Sequence, residues 1–241
     1  MLKKIDIIIP AAGNSNRFKY KKSKIFFKIN KKSLIEIIIE KIREQANKII
    51  IISKPKDQFE LTKLIKKKFP ENNIVFCNQK KANGMATAIL LGLKKSKSKN
   101  FFVIWCDQIY ISKKTIHETI KKQMDNNNYL TFPICYSKKP YTKIIFSKKK
   151  FQEILHTREG NIFKDGYSDC GIFCGNKNYF IKHLNKQIQN KTILTKQTKE
   201  YDFLKSFKYI KNKNKINLIK INNIKESKGI NYLTDVIKKK N

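Results

Sequence analysis

Short, wholly apolar runs alternate along this chain with longer stretches in which apolar residues recur at helical spacing. "IDIIIP" (5–10) is the first run, and it passes at once into "AAGNSNRF", a string of small and turn-forming residues. "KIIIIS" (48–53), "NIVFC" (73–77) and "FFVIWC" (101–106) are further runs of strand length. Between them, "KKSLIEIIIEKI" opens with Ser33 and Glu36 at the spacing of a capping box. Leu34, Ile35, Ile37, Ile38 and Ile42 then cover so much of that helix that it should be well buried. Leu61, Leu64, Ile65 and Phe69 follow at steps of three, one and four, and "GMATAILLGL" (84–93) reads as another helix. Such alternation predicts βαβ units, that is, an α/β, Rossmann-like fold with a mostly parallel central sheet flanked by helices. Ligands of such sheets bind beyond the carboxyl ends of the strands. The loop at 11–17 and the residues just after Trp105 both fall there.

The second half is less regular. "YLTFPICY", "YTKIIF" and "SDCGIFCG" (168–175) read as strands and "NYFIKHL" as a helix. "KNKNKIN" (211–217) is a polar surface turn ahead of the strand "INLIKI". No internal repeat and no composition break divides the chain, so one domain over residues 1–241 is expected.

Composition narrows the class. Apolar residues make up 40% of 241, enough for a sizeable core. No apolar run approaches the ~20 residues needed to span a bilayer. The first run is too short for a leader and lacks a small-residue cleavage site, so a cytoplasmic location is expected. A formal net charge of +36 points at first towards nucleic acid. Yet Arg17, Arg43 and Arg158 are the only arginines among 54 basic residues, and the lysines are spread over the whole chain beside an excess of Asn and Ile. Base-edge readout and bidentate phosphate contacts favour Arg, so specific nucleic-acid binding is not expected, although the charge would help draw in anionic substrates. Cys77, Cys106, Cys135, Cys170 and Cys174 form no C-x-x-C pair, and His117, His156 and His183 are scattered. Reduced thiols, no zinc site and no nucleophilic Cys–His constellation follow.

The opening loop carries the chemistry. Ala11, Ala12 and Gly13 keep side chains short, so that backbone N–H groups can approach a phosphate chain. Asn14, Ser15 and Asn16 continue the loop, and Arg17 adds a cation suited to phosphate oxygens. Lys24 follows in the apolar context "SKIFF". The plain alternative is a βα turn with Gly13 in a left-handed conformation. The loop is neither a Walker A sequence nor a dinucleotide fingerprint. "PAAGNSNRF…SK" resembles the signature of the sugar-phosphate nucleotidyltransferases, A-A-G-x-G-[ST]-R-[MF] followed by P-K, departing at Ser15 and Ser23, where Gly and Pro are common. The resemblance extends to the uridylyltransferases acting on N-acetylglucosamine 1-phosphate and to nucleotidyltransferases of surface-polysaccharide synthesis. It implies that residues 11–16 bind the nucleotide and that Arg17 and Lys24 are catalytic.

Three further blocks keep the family's order. "NQKKANGMATAI" resembles its base-recognition segment, placing Gln79 against the base and Gly84 where a helix start nears the nucleotide; read alone, Gln79 is an ordinary surface residue. "FFVIWCDQIYIS" resembles the strand whose terminal Asp holds magnesium, which falls to Asp107; its alternative is a loop or cap residue, though Ser112 is the better cap. "ESKGINYLTD" resembles the segment whose Asn is the second metal ligand, Asn231, with a simple turn before a C-terminal helix as its alternative. The match thins around the acceptor. "YTKII" with Thr142 lacks a usual glycine, His156 and Arg158 stand near a common Glu–Lys pair, Asp169 replaces an Asn, and "TKEYDFL" keeps Glu200 and Tyr201.

What the resemblance implies is a Mg²⁺-dependent nucleotidyltransferase, with a nucleotide-binding half at about 1–112 and an acceptor-binding half at about 113–241. An NTP (UTP, CTP or another) would react with a sugar 1-phosphate to give an NDP-sugar and pyrophosphate. The acyltransferase hexapeptide repeats of bifunctional relatives are absent from these residues, so that second activity is not expected of them. Three rivals remain open. A cytidylyl- or guanylyltransferase would act on a polyol, amino-alcohol or cofactor phosphate. A glycosyltransferase would want a D-x-D motif, where "CDQI" supplies one Asp. A basic nucleic-acid-binding protein would cluster Arg and aromatics on one face. The expected partners are small phosphorylated molecules, with no membrane segment, and a homo-oligomer is left open.

Overall fold

The computed structural model describes residues 3–13, 18, 20 and 22–237. Asn14, Ser15, Asn16 and Arg17 of the expected nucleotide loop lie outside the described residues. In chain order the elements are β1 (Ile5–Pro10), β2 (Lys28–Ile29), β3 (Lys32–Ser33), α1 (Leu34–Ile42), β4 (Ala46–Ser53), α2 (Pro55–Lys68), β5 (Ile74–Asn78), α3 (Met85–Lys95) and β6 (Asn100–Ile104). There follow α4 (Lys113–Asn126), β7 (Leu130–Lys138), β8 (Thr142–Ser147), β9 (Lys150–His156), β10 (Asp165–Asp169), β11 (Ile172–Asn176), α5 (Lys177–Gln189), β12 (Ile216–Ile221) and α6 (Thr234–Ile237).

One eight-stranded sheet runs in the order β10-β7-β11-β6-β1-β4-β5, with β12 also paired to β7. Strands β6, β1, β4 and β5 are parallel, which is the pattern their continuous apolar runs predict. Antiparallel pairing enters with β11 beside β6 and with β10 and β11 beside β7. The alternation of side chains along β1 divides the core into two layers. Ile5, Ile7 and Ile9 face a cluster with α1, α2 and α4, while Ile8 faces one with α3, α5 and the aromatic residues Phe203 and Phe207.

Local signals fix the elements. The capping box at α1 is present, with Glu36 N–H donating to Ser33 Oγ (3.4 Å) and Ser33 N–H to Glu36 Oε2 (2.7 Å). Ser112 caps α4 as expected, accepting from Thr115 N–H at 3.1 Å. The expected strand over 168–175 is instead two strands, because Gly171 (φ +67°) turns the chain between β10 and β11. A Cβ there would come within 2.8 Å of Trp105 and of Gln108, so glycine is required by space as well as by φ.

One buried carboxylate sets β6 beside β1. Asp6 is 0% exposed, and its Oδ2 accepts from Ser96 Oγ (2.9 Å), Lys97 N–H (2.7 Å) and Ser98 N–H (3.1 Å), its Oδ1 from Asn47 Nδ2 (2.9 Å). Burial pushes this carboxyl up, but the hydrogen bonds outweigh it and hold it below its ordinary value. They clamp the α3–β6 turn to the start of β1 and so fix where β6 ends. Asp6→Asn should cost about 2–3 kcal/mol at neutral pH, since an amide cannot satisfy the facing N–H donors. A carboxyl with a depressed folded pKa stabilises above its unfolded value and loses that contribution as pH falls through the folded value. Chemical denaturation from pH 7 to pH 3 should therefore show the gap between wild type and Asp6→Asn closing below about pH 4.

Candidate active site

β6 and β1 are neighbours in the sheet and β5 lies beyond β4 on the far side of β1, and the carboxyl end of each delivers a different group. β1 ends at Pro10, and Ala11 and Ala12 stay buried, with Ala11 N–H donating to Ile52 O at 2.7 Å. Gly13 follows. It is exposed and does not adopt a positive φ, so it is not a left-handed turn residue. A Cβ at Gly13 would meet no heavy atom within 4 Å among the described residues.

Lys24 starts a 3₁₀ turn (Lys24–Phe26) whose Ile25 and Phe26 are buried and anchor it. Its amine reaches Asp107 Oδ2 at 2.6 Å and Ile230 O at 3.0 Å. Both side chains of this ion pair are largely enclosed, at 12% and 16% exposed. Asp107 is just beyond β6, and Ile230 N–H donates to its backbone carbonyl at 3.1 Å. The segment bearing Asn231 is thereby held against the end of β6. Asn231 Nδ2 faces Gly229 O at 3.4 Å, and Asn231 N–H donates to Asp235 Oδ2 at 2.8 Å. Gln108 stitches the same region together, donating to Cys170 O (2.7 Å) and Glu226 O (3.3 Å), while Glu226 Oε2 accepts Ser112 N–H at 3.0 Å. Sequence reasoning named neither as a site residue, yet these two hold Asp107 and Asn231 on adjoining segments.

The donor set suits a magnesium ion. Asp107 and Asn231 offer a carboxylate and an amide oxygen, and Mg²⁺ is ordinarily held by one or two protein groups together with substrate phosphates. Among the described residues, no group of three or more His, Cys, Asp or Glu stands together in a way that could hold a metal by itself. The thiols offer no nucleophile. Burial raises Cys106 to about 12 and pushes Cys170 and Cys174 further up, and all five cysteines are unpaired.

Gln79 follows β5 and is only 6% exposed, so it is not the surface residue its sequence alone suggests. Its Nε2 donates to Thr87 Oγ1 (2.8 Å), Asn83 Oδ1 (3.1 Å) and the Gly84 carbonyl (3.1 Å). A backbone carbonyl cannot exchange roles, so the bond to Gly84 O identifies the amide nitrogen as the atom facing this cluster. Gly84 (φ +119°) caps α3, but the reason for glycine differs from the one expected. A Cβ there would lie 2.4 Å from Tyr201 O and 2.5 Å from Tyr201 N, so it is the chain's own backbone that comes close.

The acceptor candidates gather in a second cluster. Thr142 Oγ1 donates to Asp169 Oδ2 (2.6 Å) and lies 2.8 Å from Ser168 Oγ, while Gly171 N–H donates to Asp169 Oδ1 (2.9 Å). Burial pushes the Asp169 carboxyl above its ordinary value against those bonds. Arg158 donates through one terminal nitrogen to Asp202 Oδ2 (2.6 Å) and places the other 3.6 Å from Glu200 Oε2. His156 Nε2 stands 3.1 Å from Asp202 Oδ2, close enough for an ion pair but off the line of a hydrogen bond. Leu204 N–H (2.7 Å) and Lys205 N–H (3.2 Å) bind the other Asp202 oxygen. Burial works to raise Asp202, but His156 and Arg158 hold it well below the usual carboxylate range. Asp202 is the hub of this cluster, and sequence reasoning missed it. The available signal was an acid inside the apolar run "YDFL". His156 Nδ1 and Arg158 Nε are buried with no hydrogen-bond partner among the described residues.

Comparison with known proteins agrees with this arrangement. Residues 7–164 match the family model described as a MobA-like NTP transferase domain. The chain is 31% identical over 242 residues to the bifunctional protein GlmU of Buchnera aphidicola subsp. Schizaphis graminum, covering 96% of this chain and 49% of that protein. It is 24% identical over 235 residues to GlmU of Thermosipho melanesiensis, covering 93% and 47%. The chain thus spans about half the length of the curated relatives it matches. Among solved structures, the fold is similar to a Bacillus anthracis protein assigned as a glucose-1-phosphate thymidylyltransferase, with a TM-score of 0.74, 16% identity and coverage of 90% and 87%. It is also similar to 4-diphosphocytidyl-2C-methyl-D-erythritol synthase of Anaerococcus prevotii (TM-score 0.69, 17% identity, 98% and 93% covered) and to the inositol-1-phosphate CTP transferase of T. maritima (0.68, 12%, 92% and 87%). No helix among the described residues is long and apolar enough to cross a membrane. With a model match over residues 7–164, the greater part of its length, the chain belongs to the family of MobA-like NTP transferase domains.

Proposed function

We propose that the chain transfers a nucleotidyl group from an NTP to a sugar 1-phosphate, releasing pyrophosphate. The observation that carries this reading is the convergence of Lys24, Asp107 and the Ile230–Asn231 segment at the end of β6, in the same sheet as the strand β5 that leads into the Gln79 loop. A phosphate oxygen of the acceptor is already anionic near neutral pH and can attack the α-phosphorus without a strong base, so the work left to the protein is positioning and charge neutralisation. Lys24 would stabilise charge on the α-phosphate. The backbone of residues 11–16 and Arg17 would hold the β- and γ-phosphates. Asp107 and Asn231 would hold Mg²⁺, which when bound supplies positive charge between the two anionic substrates.

For the base, the Gln79 amide, whose nitrogen is engaged within the chain, would use its oxygen as the acceptor of an N–H from a pyrimidine edge. The relatives named GlmU make UTP and N-acetylglucosamine 1-phosphate the first pair to try. A second reading has its own support. Asp169 and Asp202 have both oxygens engaged within the chain, which leaves them less able to accept sugar hydroxyls. Two of the fold's neighbours are named for transfer of a cytidylyl group to polyol phosphates. A non-sugar acceptor with CTP is therefore the alternative, in which Thr142, Arg158, Asp169 and Glu200 would still line the acceptor site.

Incubating the protein with Mg²⁺, each NTP in turn and a panel of sugar 1-phosphates and polyol phosphates should give pyrophosphate from one pair. Silence across the panel with an NTP still bound would rule out those acceptors, and silence without NTP binding would remove the nucleotidyltransferase reading. Asp107→Ala and Lys24→Ala should each lower kcat by about 10²–10³, the scale of losing one charge-stabilising group. Near-normal turnover in either variant would take that residue out of its role. Gln79→Ala should raise KM for the preferred NTP about tenfold, the value of one or two hydrogen bonds, with a smaller change in kcat. An unchanged KM would move base recognition elsewhere.

A further inference from the structure

The segment 194–202 touches both halves of the proposed site. At one end, Tyr201 N–H donates to Asn83 O (2.8 Å) and Ala86 N–H donates to Tyr201 O (3.0 Å), so that its backbone brackets Gly84. At the other, Glu159 Oε2 receives Lys196 N–H (3.2 Å) and Gln197 N–H (3.3 Å), and Glu159 Oε1 receives Thr198 Oγ1 (3.4 Å). The strap between these ends is closed on itself. Thr195 N–H and Thr195 Oγ1 both donate to Glu200 O (3.0 Å each), Glu200 N–H returns to Thr195 Oγ1 (3.0 Å), and Leu194 bridges to Tyr201.

Residues 196–199 are exposed and make no core of their own. Lys199 sits at φ +54°, a conformation a non-glycine residue keeps only where its surroundings impose it. The Glu159 carboxylate is the one group outside the strap that binds its exposed backbone N–H groups among the described residues. Glu159 touches none of the residues assigned to the nucleotide, and it belongs to the 3₁₀ turn Thr157–Glu159 beside the acceptor cluster.

We infer that Glu159 is a positioning residue for base selection. By pinning the strap it holds Tyr201 against Asn83, Gly84 and Ala86, and so fixes the Gln79 amide through the Asn83 and Gly84 acceptors. The inference rests on the reading that residues 79–87 take the base. It adds that the turn bearing Arg158 and the loop bearing Gln79 share one mechanical support, so that base choice is set partly from the acceptor side.

The test is calorimetric titration of UTP, CTP, GTP and ATP, each with Mg²⁺, and of tripolyphosphate, into the wild type, Glu159→Ala and Glu159→Gln. Tripolyphosphate carries the phosphate contacts without a base. The expected result is a preference among the four NTPs in the wild type that shrinks about tenfold in Glu159→Ala, the worth of one or two charge-assisted hydrogen bonds. Tripolyphosphate affinity should stay within about twofold, and Glu159→Gln, which keeps an acceptor oxygen, should recover most of the preference. An unchanged preference in Glu159→Ala would overturn the inference, as would an equal weakening of every ligand including tripolyphosphate. So would a wild type that binds all four NTPs alike. Failure of the wild type to bind any NTP would overturn the nucleotide reading itself, a distinguishable result. Should Glu159→Ala not fold, Thr195→Val opens the strap from inside and must show the same loss of preference.

Discussion

An enclosed ion pair between Lys24 and Asp107 is the constraint on which the arrangement of the site depends. Taking two charges out of water costs several kcal/mol per ion, and only good geometry with further hydrogen bonds offsets it. Here the amine has the carboxylate at 2.6 Å and the Ile230 carbonyl at 3.0 Å, so three distant parts of the chain meet at one nitrogen. Lys24, in the turn after β1, is separated along the chain by 83 residues from Asp107 at the end of β6 and by 206 from Ile230 after β12. Replacing the pair by apolar side chains would often be neutral for stability. Its presence at a strand edge therefore argues for chemistry over architecture. Each partner is a group the proposed reaction would engage separately, the cation with phosphate and the carboxylate with the metal.

Around that pair polar side chains hold backbone in place. The buried Asp6 fixes the α3–β6 turn, the buried Gln108 and Glu226 hold the segment before Asn231, and the half-buried Glu159 binds the strap beside Gly84. All are acids or amides whose oxygens or nitrogens bind main-chain groups far away in sequence. Such contacts explain how loops without regular structure can present functional groups with the precision of a strand edge, because each exposed turn is tied to an element whose position the core determines.

Much of this was legible in the sequence, and the exceptions have physical causes. The continuous apolar runs of β1, β4, β5 and β6 and the capping residues Ser33 and Ser112 are local signals, and they mark the elements where they form. Asp107 and Lys24 stand out in the sequence because a polar group at the end of a buried strand, or inside an apolar stretch, needs a reason, and the structure pairs them. The turn at Gly171 was hidden, since "SDCGIFCG" has a strand's composition and only the side chains of Trp105 and Gln108 force the bend. The crowding at Gly84 comes from Tyr201, more than a hundred residues away, and no local pattern carries it. Glu159 acts through the distant segment 196–198, and Asp202 combines the nearby Leu204 and Lys205 N–H groups with Arg158, 44 residues away, so an acid inside "YDFL" marks only part of its role.

The formal charge of +36 is the most conspicuous property of the sequence and says least about the chemistry. The exposed pairs Lys22–Glu60, Lys32–Glu40 and Lys113–Glu44, with side chains 39–58% exposed, are solvated and screened and contribute little to stability. Dispersed lysines of this kind raise the local concentration of anions by a field that salt screens within about 8–10 Å. They do not select a substrate. Selection needs a cation whose direction is fixed and whose surroundings exclude water. In the acceptor cluster that role falls to Arg158, one of three arginines in the chain, held between Asp202 and Glu200. At the strand edge it falls to Lys24. Two enclosed cations, each placed by a carboxylate, carry more of the functional argument than the fifty or so lysines that surround them.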